Sequence, residues 1–158
     1  MKNATLFVLV LSLCLTLCSC GKTKEISIYE LQEKMMKADV NVPKMLVVSS
    51  SDSDAETKFA YLSDIDYSKV SSYFLAYAAD GMAYEIAVIC LRDKSDISDA
   101  KISLRKHLES RVNLYKTYEP TQTRRAEEAL IIHRNNYIVL IMCDDTDAVK
   151  AAFEEFLK

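Results

Sequence analysis

An α+β fold, one mainly antiparallel four-stranded sheet with packed helices and an N-terminal amphipathic helix, is what this sequence predicts. Three observations carry that expectation. Apolar β-rich runs come in pairs around turn residues, a stretch with helical spacing follows each pair, and this ββα unit occurs twice.

The chain opens differently. Lys2 supplies a short positive region, and Ala4–Leu17 is apolar with only Thr and Ser interruptions. That run is about 14 residues, short of the roughly 20 a helix needs to span a bilayer. A buried core helix would show a polar face, and none appears. Leu17-Cys18-Ser19-Cys20 resembles the bacterial lipobox, with an apolar residue at −3 and a small one at −1 before the Cys that is lipidated. Cys14 and Cys18 fit badly, each having Leu at −1. The expected organisation is a signal peptide over 1–19, cleavage between Ser19 and Cys20, a lipidated Cys20 with a tether over 20–25, and a single α+β domain over 26–158. Each buried CH₂ contributes about 0.8 kcal/mol, and one acyl chain anchors only marginally. A diacylglyceryl thioether on Cys20 provides two, which would hold the protein on the extracytoplasmic face of the membrane.

Ser27–Ala38 places Ile28, Leu31 and Met35 at helical spacing, with Glu30, Glu33, Lys34 and Lys37 outside. Pro43 ends that region. Lys44–Val48 reads as a short strand, "SSSDSD" as a turn, and Asp54–Leu62 as a weak helix. "YFLAYAADGMAYEIAVICL" is two apolar runs around Asp80-Gly81, a strong hairpin signal. A long helix follows, its inner stripe Ile97, Ala100, Leu104, Leu108, Val112 and Tyr115, with Pro120 just past its end. "ALIIHRNNYIVLIMC" is a second hairpin turning at Asn135-Asn136, since Asn tolerates left-handed backbone. "TDAVKAAFEEFLK" closes with a helix facing Val149, Phe153 and Phe156 inward. The run from Tyr84 to Cys90 and the run from Tyr137 to Cys143 match in length, and each leads to an acidic turn and a Ser/Thr-Asp-Ala helix start. Duplication and convergence explain that likeness equally well.

Scarcity excludes several chemistries. The two glycines, Gly21 and Gly81, are far apart. Glycine-rich phosphate loops, dinucleotide fingerprints and G-x-S-x-G elbows all need clustered glycines. His107 and His133 are too distant for H-E-x-x-H, and no C-x-x-C occurs. The formal charge of −3 is too small and too mixed to argue for nucleic acid.

The segments "ISIYELQEKMMKA", "YLSDIDYSKVSSYFLAY", "AYEIAVICLRD", "YKTYEP" and "EEALIIHRNNYIVLIMCDDTDAVKAAFEEF", in this order and spacing, resemble a bacterial lipoprotein family catalogued as domain of unknown function four-three-five-eight. No short motif is diagnostic, and the resemblance implies a lipoprotein context with no catalytic residues to carry over. Departures are Cys90 and Cys143 at strand positions expected to be apolar, and Arg111 on the buried edge of the long helix.

Other candidates have ordinary readings. Cys90 and Cys143 end their strands at matched register, so in antiparallel neighbours they lie at opposite ends, beyond the about 7 Å between Cα atoms that a disulfide allows. Two buried free thiols are expected. His107 at the stripe margin and His133 at the hairpin turn read as edge histidines without local partners. Asp93, Asp96 and Asp99, like Asp144, Asp145 and Asp147, open helices, where carboxylates cap and complement the dipole without any cation. "DSDAE" at 52–56 fails as a calcium loop, with Thr57 and Ser63 where Gly and Glu are required. Arg105-Lys106 and Arg124-Arg125 read as solvated, with headgroup contact the lesser alternative. The functional expectation is a membrane-anchored extracytoplasmic lipoprotein, not an enzyme. It would serve as a binding, adaptor or envelope-structure module for an unknown protein or small-molecule ligand, without cofactor, metal or nucleic acid. The alternative is an extracytoplasmic hydrolase assembled from distant residues such as His133, Asp144 and Ser or Tyr hydroxyls.

Overall fold

A computed structural model describes residues 27–158; the signal segment, the lipobox residues Leu17, Cys18, Ser19 and Cys20, and the tether lie outside the described residues. The first helix, α1 (Ile28–Ala38), begins where the Glu30 amide donates to the Ser27 hydroxyl at 3.3 Å, and it buries Leu31 and Met35. Then come β1 (Met45–Ser49), α2 (Ala55–Phe59), β2 (Val70–Ala78), β3 (Glu85–Leu91), α3 (Ile97–Tyr118), α4 (Thr123–Glu127), β4 (Leu130–Arg134), β5 (Tyr137–Met142) and α5 (Thr146–Phe156). Both predicted turns have the backbone expected of them, with φ of 80° at Gly81 and 54° at Asn135.

The α+β class holds, but the sheet has five strands rather than four. Its order is β1-β2-β3-β5-β4, and every neighbouring pair is antiparallel. The extra strand is β1, which pairs with β2 from Met45↔Ala78 to Ser49↔Phe74. Its five residues are too few for periodicity to reveal a partner, so the segment reads as an isolated extended stretch in the sequence.

The helices cover both faces of the sheet. Phe74, Ala76, Ile86, Val88, Val139 and Ile141 point to the face covered by α1 and α5, against Leu31, Met35, Val149 and Phe153. Tyr73, Leu75, Ala87, Ile89, Ile138 and Leu140 point to the other, against Phe59 of α2 and Ala100 and Leu104 of α3. The central strands β3 and β5 are buried at every position, which only a sheet covered on both sides requires. Their unbroken apolar runs have this cause. The internal likeness therefore extends to the strands and stops at the helices, since α3 and α5 leave equivalent strands for opposite faces.

One polar knot fastens the α1/α5 side. Asp39, just after α1, is 1% exposed. Its Oδ2 accepts from Tyr84 Oη (2.8 Å) and from the Asp144 and Asp145 amides (3.2 and 3.0 Å), and its Oδ1 from the Asn41 amide (2.8 Å). Burial alone would raise this carboxyl, but the four bonds outweigh it and hold it below the usual 3.8. Among the described residues no helix is long and apolar enough to cross a membrane.

Candidate functional site

The structure scatters most of the residues singled out in the sequence. His133 is exposed on edge strand β4 opposite Ile138, while Asp144 follows the far end of β5, so the distant-residue hydrolase set is not brought together. Cys90 and Cys143 are buried free thiols at opposite ends of the β3–β5 pair, where Cys90 faces Tyr137. Burial, with Asp39 and Asp144 nearby, pushes the Cys143 thiol up to about 12, so it is not poised as a nucleophile. Asp93 accepts from the Ser95 amide and Asp145 from the Ala148 amide, both as caps. Asp96 and Asp99 hold Lys69. No group of three or more His, Cys, Asp or Glu side chains with metal-holding geometry occurs among the described residues. Arg125, read as solvated, instead bonds Asp144 and the Gln122 carbonyl, and so fixes α4 to the loop after β5.

His107 is the exception, and it is no edge histidine. Its ring is largely covered, and Nε2–H donates to Glu85 Oε1 at 2.6 Å. Glu85, only 3% exposed, opens β3 and points away from the face that its neighbour Tyr84 joins. One helical turn beyond His107, Arg111 brings Nε to 3.5 Å from Glu85 Oε2. That distance suits an ion pair but not a hydrogen bond, and the buried Nε has no bonding partner among the described residues. An Nη2 of Arg111 donates to Tyr115 Oη, which donates to the Gly81 carbonyl at 3.3 Å, and the guanidinium carbon lies 5.0 Å from the Tyr115 ring centre. Burial pushes the Tyr115 phenol up, so it stays protonated.

This cluster lines a groove of about 530 Å³. Helix α3 lies over β4 and β5, whereas β1 and β2 receive on this face only the short α2. The uncovered strip leaves Val48, Leu75 and Tyr77 as an apolar floor. Tyr61, 75% exposed, stands on one side, and His107, Ser110 and Arg111 stand on the other. Lys58 closes one end and is already tied to Asp52 and Asp54. The arrangement can enclose an apolar body and offer donors at one edge. A serine on an exposed helix surface, with the imidazole occupied by Glu85, gives it no evident nucleophile.

Glu85 was not singled out in the sequence. It sits inside "AYEIAVICL", where one carboxylate looks like an exposed strand position, and its partner is 22 positions away. The available signal was Arg111 on a buried helix edge, a position that demands an acidic partner somewhere in the core.

Residues 45–143 match the family described as Domain of unknown function (DUF4358), and the chain belongs to that family. The match runs from β1 to just past β5, leaving α1 and α5 outside it. No curated protein and no solved structure matches the chain.

Proposed function

We propose that this member of the family is a lipid-anchored extracytoplasmic binding module, not an enzyme, which takes a small ligand in the groove beside α3. The observation that carries the reading is the groove, an apolar floor with a few convergent polar groups at one edge, the usual build of a small-molecule site. Against the hydrolase alternative counts the separation of His133 from Asp144 along β5. The anchor rests on Leu17-Cys18-Ser19-Cys20, with two acyl chains supplying the tether.

Two measurements test the two halves. Intact-mass analysis of the membrane fraction is expected to show loss of residues 1–19 and an added diacylglyceryl mass, and Cys20→Ala an unprocessed precursor. Unchanged processing in that variant would sink the anchor. Native mass spectrometry of the purified protein is expected to show a co-purifying small molecule that Val48→Trp, which fills the groove floor, excludes. A small molecule retained by Val48→Trp would move the binding site elsewhere.

A further inference from the structure

Resting on the groove as a ligand site, we infer that its ligand is a monocarboxylate with an apolar body, the carboxylate on Arg111 and the body over Leu75, Tyr77 and Val48. The argument begins with which donors the fold leaves over. Lys58 is held by two aspartates, and His107 commits Nε2 to Glu85. Arg111 is different. Tyr115 takes one Nη2 hydrogen, Glu85 lies beyond bonding distance of Nε, and Nη1 makes no hydrogen bond to any described residue. The guanidinium is nevertheless held in place, stacked against the Tyr115 ring and drawn towards Glu85. With Nε buried against Glu85 and one Nη2 hydrogen on Tyr115, the Nη1 hydrogens and the second Nη2 hydrogen remain as an end-on fork beside the apolar floor. That fork matches a carboxylate's two oxygens, and such charge-assisted pairs are about twice as strong as neutral ones.

The groups around it narrow the choice. Glu85 is the acidic side chain on the lining itself, with Asp52 and Asp54 behind Lys58. This density of negative charge disfavours a dianion such as phosphate relative to a monoanion at Arg111. The body is expected to be flat or branched, because Tyr61 and Tyr77 present rings to the groove.

Isothermal titration of the full chain in lipid nanodiscs with naphthylacetate, and with its neutral isostere naphthylacetamide, tests this. The acid is expected to bind about tenfold more tightly than the amide. Arg111→Gln should remove that preference, and Arg111→Lys, which keeps the charge and loses the fork, should retain only part of it. An unchanged melting midpoint in Arg111→Lys separates recognition from folding. Equal binding of acid and amide, both abolished by Val48→Trp, would overturn the carboxylate assignment and leave the groove as a site. Absence of binding by either would overturn both.

Discussion

The two faces of the sheet bury one carboxylate each, and they treat it differently. Asp39, under α1, has four donors drawn from Tyr84 just before β3, from its own turn and from the β5–α5 loop. Glu85, one residue after Tyr84 on β3, has a single short bond and a long ion pair, both to α3. On the first side two helices cover the strands and the polar group is fully satisfied, so it acts as a bolt. On the second side α3 covers only part of the sheet, the network is left incomplete, and space opens next to it. A closed network stabilises, while an incomplete one beside a cavity is available to a ligand.

The largest expected effect comes from unmaking the closed face. Removing residues through Ala38 exposes the surface that Leu31, Met35 and the half-buried Ile28 cover, about 1.5–3 kcal/mol for each fully buried side chain. Against a typical total of about 5–15 kcal/mol, the midpoint of thermal melting is expected to fall steeply relative to a chain starting at Gly21. Equal midpoints would mean that α1 is a spacer.

Asp39→Ala should come next, with a loss of about 3 kcal/mol, because Tyr84 Oη and the Asp144 and Asp145 amides lose their acceptor. Its pH dependence follows from the lowered carboxyl. Below the usual 3.8 the unfolded chain binds the proton more readily than the folded one. The contribution is therefore complete above that value and disappears as pH falls through the lower folded one. Urea melts at neutral and strongly acid pH are expected to show this acid-side loss in the native chain and less of it in Asp39→Asn.

The smallest effect is expected at Glu85→Gln, about 1–2 kcal/mol, since the amide oxygen still accepts from His107 and the unpaired Arg111, a quarter exposed, can turn its charge to solvent. A loss as large as that of Asp39→Ala would erase the contrast between the faces and make the Glu85 cluster a structural knot.

What the sequence revealed tracks how local each signal was. The long helix, both hairpins and the terminal helix announce themselves through spacing and turn residues within a dozen positions. The free thiols followed too, because register in an antiparallel pair decides whether Cys90 can meet Cys143. The strand β1 was legible, but its pairing with β2 and the two-sided cover were hidden, since partner choice is written in no short window. The same holds for the groove. Its floor comes from β1 and β2, its wall from α3, and the pair that marks it joins Glu85 to His107 across the length of β3, a turn and about three helical turns. Asp39 escaped notice because a single acid after a helix looks like solvent-facing polarity, and its donors lie as far as 106 positions away.

The pairing of α1 with α5 has a consequence in time. Lys34 meets Glu155 at 3.0 Å across 121 positions, and the apolar stripe of α1 rests partly on α5. Closing so long a loop costs chain entropy that grows as about (3/2)RT ln n, and contacts of such separation slow folding. A chain delivered from its N-terminal side has α1 ready long before α5 exists. Leu31 and Met35 stay partly uncovered until Phe153 arrives, so the helix that emerges later sets when the earlier one can stop being sticky.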